Sequence, residues 1–405
     1  MKVLIADKFE KVGVDGLKEL GCTVVDQPSL TADALPAALA EVDPGILIVR
    51  GTKVSGDAIR AGRSLGLIIR AGAGIDTIDV AAASAHGVFV SNCPGRNSVA
   101  VAELVMGLLL ACDRRIPDQV RDSRAGTWAK GEYSKARGLF GRTLGIVGLG
   151  QIGREVAGRA RAFGMHVVAW SRNLTVELAE ELGVTYCESP IEVARVSDAV
   201  TINVASTPET KHLVGKEFLA AMRPGAYLVN TSRGSVVDEA ALAEAVRARG
   251  IRAGLDVFQQ EPAGSGGTIE NPLVKEPGVY VTHHVGASTE QAQVAIAHEV
   301  IRIVGAFVER GSVPNCVNRL AKSTATHVLS VRHRNRPGVL AHVFRVLSDR
   351  KINVEEVENI IYHGAQATLA RIHLDTAPDQ AAMDAIAAGN PDVIKVDLSR
   401  LDDGA

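Results

Sequence analysis

Short apolar runs recur along most of the chain, each closed by glycine or polar residues. Residues 3–6, 46–49, 67–69 and 88–90 read this way, as do 144–147, 166–170, 199–204, 226–230, 253–257 and 279–282. Runs this short fit strands buried on both faces of a parallel sheet. Between them the apolar positions take helical spacing, as over 13–20 and at Ile152, Val156, Ala160 and Phe163, stopped by Gly164. Strands alternating with helices predict an α/β fold with parallel sheets. The longest apolar segment, 99–112, contains Glu103 and is short for a membrane span, so it predicts a buried helix. Residues 287–310 predict a second long helix.

Residues 262–275 are rich in Gly, Ser and Pro and predict an exposed loop; 311–325 predict a linker. The texture then changes. Residues 327–332 alternate as a strand, and 337–350 form a helix with Leu340, Val343, Phe344 and Leu347 on one face. Strands at 354–362 and 367–374, a helix at 380–388 and a strand at 393–398 follow. That βαββαβ order predicts a small ferredoxin-like module.

Gly148-Leu149-Gly150-Gln151-Ile152-Gly153 lies between a strand and a helix. The first glycine permits the tight turn, the second lets a pyrophosphate approach the backbone, and the third lets helix and strand pack closely. The helix N-terminus adds free N–H groups and partial positive charge. A structural turn can carry the same glycines, but the strand before and helix after predict a dinucleotide site. Ser171 and Arg172 stand where an Asp or Glu would bind the ribose. Arg172 either pairs with a 2′-phosphate, stacks on adenine or faces water, so the cofactor is NAD or NADP.

Polar residues also cluster just past other strands: Ser206-Thr207-Pro208, Thr231-Ser232-Arg233-Gly234, Gln260-Glu261-Pro262 and His283-His284-Val285-Gly286. In open α/β sheets that edge binds ligands. Oxidising an α-hydroxy acid requires a base for the hydroxyl proton, which His can be near neutral pH. It requires a carboxylate to hold that imidazole, and a cation to grip the substrate carboxylate. Arg233, Glu261 and His284 supply the set, with His283 an adjacent competitor for the base. Each residue taken alone reads equally well as structural or solvated.

At 405 residues the chain has room for two or three domains. A composition 46% apolar and 22% charged, with a net charge of −2, gives no bias toward nucleic acid or membrane. Cys22, Cys93, Cys112, Cys187 and Cys316 are scattered without CxxC spacing, which argues against a disulfide framework or a metal site and for a reducing cytoplasm. The opening apolar run breaks at Asp7, too soon for a signal peptide.

GLGQIG, TSRG at 231–234, AGLDVFQQEP at 253–262 and THHVGAST at 282–289 resemble the D-isomer-specific 2-hydroxyacid dehydrogenase family, over essentially the whole chain. The resemblance implies a Rossmann-like dinucleotide domain (98–283) inserted in a flavodoxin-like substrate domain (1–97 and 284–312). It makes Arg233 the substrate-binding and polarising group, His284 the acid/base and Glu261 its partner. It assigns the cofactor to Gly148, Gly150, Gln151, Ile152, Gly153, Ser171 and Arg172, with Asp256 on the nicotinamide carboxamide. Backbone N–H groups of Gly72, Ala73 and Gly74 would hold the substrate carboxylate, and Asn97 would line the cleft. Arg50 and Lys53 would meet a substrate phosphate; read alone, they are equally ordinary loop charges. The family pattern has Pro where His283 stands, and one more residue between Arg50 and Thr52.

The module at 326–405 resembles an ACT regulatory domain, through His333-Arg334-Asn335-Arg336-Pro337-Gly338-Val339-Leu340 with Asn353 beyond. The resemblance implies L-serine as effector, bound by His333, Asn335 and Asn353 across paired modules. The residues alone leave another reading open, in which His333 and Asn335 cap the following helix. The implied activity is oxidation of D-3-phosphoglycerate to 3-phosphohydroxypyruvate, the first step of serine synthesis, by a cytoplasmic homodimer or homotetramer. One alternative is another D-2-hydroxyacid dehydrogenase, such as an NADP(H)-dependent hydroxypyruvate or 2-ketoacid reductase. A second is a non-catalytic, nucleotide-sensing corepressor-like protein.

Overall fold

Five parallel strands open the chain: β1 (Lys2–Ile5), β2 (Thr23–Asp26), β3 (Ile46–Val49), β4 (Leu67–Arg70) and β5 (Phe89–Asn92). They appear in a computed structural model that describes residues 1–262, 266–320 and 323–401. Their spatial order, β2-β1-β3-β4-β5, is the flavodoxin-like one. The apolar runs of β1, β3 and β4 are buried as expected. The edge strand β2 has no fully buried residue, so its sequence gives little apolar signal.

The helix Ser98–Arg114 leaves this sheet and packs against the helix Gln151–Ala162, burying Ala102, Val105, Met106 and Leu109. Its Glu103 faces solvent. Seven parallel strands follow: β6 (Thr143–Val147), β7 (His166–Trp170), β8 (Thr185–Tyr186), β9 (Ala199–Ile202), β10 (Tyr227–Asn230), β11 (Arg252–Leu255) and β12 (Val279–Val281). Their order, β12-β11-β10-β9-β6-β7-β8, reverses direction at β6, as in dinucleotide-binding sheets.

After β12 the chain returns through the helix Glu290–Arg310, capped by the Thr289 side chain on the Ala292 N–H. This helix is long and apolar enough to cross a membrane by length and composition. Its Ile296, Val300, Ile303 and Val304 are instead buried with Val3, Ile5, Ile46 and Ile48 of the first sheet. Part of the expected linker 311–325 is packed: Asn318 Oδ1 accepts from the Val90 N–H at 2.8 Å, and Cys316 bridges to Ser91. Residues 321–322 of that linker, and 263–265 of the expected loop, lie outside the described residues. The rest of the loop ends in a short turn at Pro272–Lys275.

The chain divides into two compact units, Met1–Asn318 and Arg319–Ala405. The second holds β13 (His327–Arg334), β14 (Val354–Ile361), β15 (Ala367–Leu374) and β16 (Val393–Arg400), antiparallel in the order β14-β15-β13-β16. Leu329, Val331, Ala370 and Ile372 form its core with Val343, Leu347 and Ile386 of the helices Val339–Asp349 and Gln380–Ala388. This is the expected ferredoxin-like βαββαβ module.

Candidate active site

The glycine turn sits where the seven-stranded sheet reverses order. Gly148, with φ +98°, ends β6; a Cβ there would lie 2.6 Å from the Asn203 carbonyl oxygen, just past β9. Gly150 begins the helix and faces open space, so a phosphate can come close to its backbone. A Cβ on Gly153 would lie 2.4 Å from the Gly148 oxygen, so helix and turn meet only through glycine. Gln151, first in the helix, lays its side chain against Gly95 of the segment that leaves β5. Ile152 packs on the core cluster beside the turn. Asn203 Nδ2, Thr231 Oγ1 and Asn97 Oδ1 are buried without a hydrogen-bond partner among the described residues. Glycines that open the turn and orphaned polar atoms on neighbouring segments fit a dinucleotide. Ser171 turns the chain after β7 by accepting the Leu174 N–H, and Arg172 is exposed. Thr207, the backbone and the Arg172 charge hold the Glu209 carboxyl below its usual range, so Arg172 has an acidic neighbour.

Arg233, Glu261 and His284 follow the adjacent strands β10, β11 and β12. His284 Nδ1 lies 2.7 Å from Glu261 Oε2, and the Phe258 N–H donates to Glu261 Oε1 at 3.0 Å. Glu261 therefore pairs with His284 through a direct hydrogen bond. Burial would push the Glu261 carboxyl up, but the His284 and Phe258 hydrogen bonds and the charges of His284 and Arg233 outweigh it. Its pKa ends below the usual value, so the group is a carboxylate at neutral pH. Arg233 joins this pair through Gly234, where a Cβ would fall 1.9 Å from the Phe258 carbonyl carbon. The loops bearing Arg233 and Glu261 touch backbone to backbone, and only glycine allows it.

Asp256, 1% exposed, builds the loop that carries His284. Its carboxylate accepts from the Thr282 hydroxyl at 2.5 Å and from the Val285 and Gly286 N–H groups, each at 2.9 Å. Its own carbonyl accepts the His284 N–H at 2.8 Å. These bonds fix His284 at φ +53°, a left-handed conformation that a side-chain-bearing residue rarely adopts. The sequence reading gave Asp256 a cofactor contact and missed this role, because the bonds form only once β11 and β12 are paired.

The five-stranded sheet presents cations at its own carboxyl edge. Arg50 follows β3, and its Nη2 reaches Ser288 Oγ at 3.4 Å; Lys53 is exposed nearby. The Asp7 carboxylate takes the N–H groups of Arg50, Gly51 and Thr52 at 2.6, 3.1 and 3.0 Å. Arg70, which ends β4, carried no role in the sequence reading. Its Nε donates to the Arg50 carbonyl at 3.0 Å. Burial, then the charges of Arg233 and Arg50, push its pKa down, with Asp76 opposing. The signal was present: Arg70 closes a buried strand as Arg50 does.

One expectation needs correction. The Gly72 N–H is engaged by the Arg70 carbonyl at 2.8 Å, so it is not free to hold a carboxylate. Gly72 instead makes room for Arg70, whose Nη1 lies 1.8 Å from where its Cβ would be. Ala73 and Gly74 keep N–H groups without a protein acceptor among the described residues. Asn92 Nδ2 holds the Ala73 carbonyl at 2.6 Å and so orients that peptide.

In the second unit His333 is 3% exposed, with Nδ1 2.8 Å from the Arg334 carbonyl and Nε2 unpartnered. Asn335 Nδ2 donates to the Ala365 carbonyl at 3.1 Å. Neither side chain caps the helix Val339–Asp349, which Gly338 precedes without a side-chain cap. Asn353 lies at the opposite end of β15, with its N–H on Asp375 Oδ1 and its Nδ2 on Glu355 Oε1. One chain does not bring Asn353 together with His333 and Asn335.

Residues 106–286 match the model of the NAD binding domain of the D-isomer specific 2-hydroxyacid dehydrogenases, and residues 327–388 match the ACT domain. A D-3-phosphoglycerate dehydrogenase of Methanocaldococcus jannaschii is 39% identical over 320 residues, 78% of this chain and 59% of that protein. The chain thus spans about three-fifths of that relative's length. A hydroxypyruvate reductase of Thermotoga maritima is 38% identical over 76% of this chain and 98% of that protein. The NAD-bound crystal structure of 3-phosphoglycerate dehydrogenase from Entamoeba histolytica aligns with a TM-score of 0.66 at 25% identity, covering 79% of this chain and 99% of that one. With the sheet order, glycine turn and His284–Glu261 pair in place, the chain belongs to the D-isomer specific 2-hydroxyacid dehydrogenase family and carries an ACT domain.

Proposed function

We propose that this protein oxidises D-3-phosphoglycerate to 3-phosphohydroxypyruvate with NAD. The observation that carries the reading is the 2.7 Å His284–Glu261 pair beside Arg233, on the sheet that also bears the glycine turn. The bound dinucleotide supplies the hydride acceptor. Gly148, Gly150, Gln151, Ile152 and Gly153 hold its phosphates, and Ser171 and Arg172 meet its ribose, whereas Asp256, buried and saturated by the His284 loop, takes no part in the expected carboxamide contact. His284 Nε2 takes the substrate hydroxyl proton while Nδ1 stays bonded to Glu261. The ionised Glu261 fixes the tautomer and stabilises the imidazolium that forms. Arg233 grips the substrate carboxylate and polarises the developing carbonyl, with the Ala73 and Gly74 N–H groups on the same carboxylate. Asn97 lines the cleft. Arg50 and Lys53 take the phosphate, which favours a phosphorylated acid over its unphosphorylated analogue.

In this reading residues 1–97 and 284–312 form the substrate domain and 98–283 the dinucleotide domain. The ACT domain binds L-serine between two copies of the chain, which the separation of Asn353 from His333 and Asn335 supports. The working form is then a homodimer or homotetramer, and the scattered cysteines suit the cytoplasm. A second reading, an NADP(H)-dependent hydroxypyruvate reductase, draws on Ser171-Arg172 and on the Thermotoga maritima relative. The Glu209 carboxylate near Arg172 opposes a 2′-phosphate there and supports NAD.

The test is a panel of 3-phosphohydroxypyruvate, hydroxypyruvate and glyoxylate with NADH or NADPH, run with and without L-serine. The expected result is at least a tenfold preference in kcat/KM for the phosphorylated substrate with NADH, and inhibition by serine. Equal rates on all three substrates, or a preference for NADPH, would favour the second reading.

A further inference from the structure

The Arg233 guanidinium is occupied on two sides. Its Nε donates to Asp76 Oδ2 at 2.8 Å, and its Nη1 donates to the Ser232 carbonyl at 2.7 Å. Nη2 has no protein acceptor among the described residues and stands 2.1 Å from where a Gly74 Cβ would be. It therefore lies beside Gly74, whose N–H has no protein acceptor among the described residues. Asp76 belongs to the loop after β4, whereas Arg233 follows β10, so the ion pair joins the two sheets across 157 residues of sequence.

A guanidinium can take a carboxylate along more than one edge. With Nε on Asp76 and one Nη1 hydrogen on Ser232, Nη2 is the guanidinium nitrogen that keeps both hydrogens for a ligand. Resting on the reading of Arg233 given above, we propose that Asp76 is a positioning residue. It holds Arg233 so that Nη2 and the Ala73 and Gly74 N–H groups meet one substrate carboxylate in a single orientation. Without that tether Arg233 presents other edges, and the substrate sits with its C2 misaligned for hydride transfer.

The role depends on an acceptor oxygen rather than on charge, which makes it separable from a general effect. In the full-length enzyme with NADH and the preferred 2-oxo acid, Asp76→Ala lowers kcat at least tenfold, with the NADH Kd within twofold of wild type. Asp76→Asn keeps an acceptor for Nε and restores kcat to within threefold. Because Asp76 acts through Arg233, adding Asp76→Ala to Arg233→Ala lowers the rate no further. Asp76→Val, which likewise lacks an acceptor, takes the place of Asp76→Ala if that variant does not fold. An alanine variant within threefold of wild type, an asparagine variant as slow as alanine, or losses that multiply in the double variant overturn the inference. A wild type inert on every 2-oxo acid overturns the dehydrogenase reading instead; an active wild type unaffected by Asp76→Ala overturns only this one.

Discussion

The two parallel sheets end in edges of opposite electrostatic plan. At the seven-stranded edge, carboxylates do the holding: Asp256 gathers the Thr282–Gly286 loop, and Glu261 takes the Phe258 N–H and His284. Glu239 adds to this by accepting from the Gln259 N–H at 2.6 Å and from Asn271 at 2.7 Å. At the five-stranded edge cations collect. Arg50 and Lys53 follow β3, Arg70 ends β4, and the Asp7 carboxylate past β1 is taken up by backbone N–H groups. The first plan holds the His284 imidazole on Glu261 and fixes its backbone, as the proposed proton transfer requires. The second gathers more positive charge than Asp76 offsets, which suits the proposed anionic substrate. One fold class thus serves two tasks by the choice of residue at its strand ends.

The largest expected effect falls on His284, the proposed proton carrier. His284→Gln lowers kcat by about 10²–10⁴-fold, read from steady-state NADH oxidation, with the NADH Kd nearly unchanged. Asp256→Ala comes next. Losing three hydrogen bonds frees the His284 loop, and kcat falls by about 10²-fold as His284 leaves its left-handed conformation. A loop that keeps its activity without Asp256 would mean that β12 alone orients His284.

Much of this plan was legible in the sequence. The buried runs of β1, β3, β4 and β6 are continuous and apolar, so parallel strands and the glycine turn followed from pattern, whereas the arrangement of the two sheets rested on the family resemblance. The polar residues past β10, β11 and β12 could be read as a group because parallel sheets gather ligands at that edge. The edge strand β2 and the two-residue β8 gave no such pattern. What pattern cannot carry is partnership across the fold. Asp76–Arg233, Asp256 with the Gly286 N–H, and the engaged Gly72 N–H all depend on backbone placed by tertiary packing. His333 is a similar case: the family resemblance suggested a ligand group, while its burial is a property of the folded module.

The cationic edge is tested by selectivity. The Arg50→Gln, Lys53→Gln double variant loses about tenfold in kcat/KM on 3-phosphohydroxypyruvate and changes less than threefold on hydroxypyruvate. Equal losses on both would assign these cations to folding rather than to the phosphate.

The smallest effect on turnover, and a clear one on stability, belongs to Glu299. It is 4% exposed and bonds Arg96 at 2.6 Å and Asn315 at 2.7 Å, together with Arg302. Arg302 holds its carboxyl down against burial, with help from Asn315 and Arg96, and the pKa falls to about 2. The unfolded value is near ~4.3. The folded value is the lower one, so the contribution is complete above the unfolded value and fades as pH falls through the folded one. Glu299→Gln costs roughly 3 kcal/mol in urea unfolding at pH 7 and a smaller amount near pH 3. A pH-independent difference would place the loss in packing instead.

The most direct test of the account is whether His284 and Glu261 work as one unit. It is a double-mutant cycle on kcat with His284→Gln, Glu261→Gln and the pair together. The account predicts that the double variant is no slower than His284→Gln, because Glu261 has nothing left to hold. Losses that multiply would contradict it, since the two side chains would then act on the reaction separately.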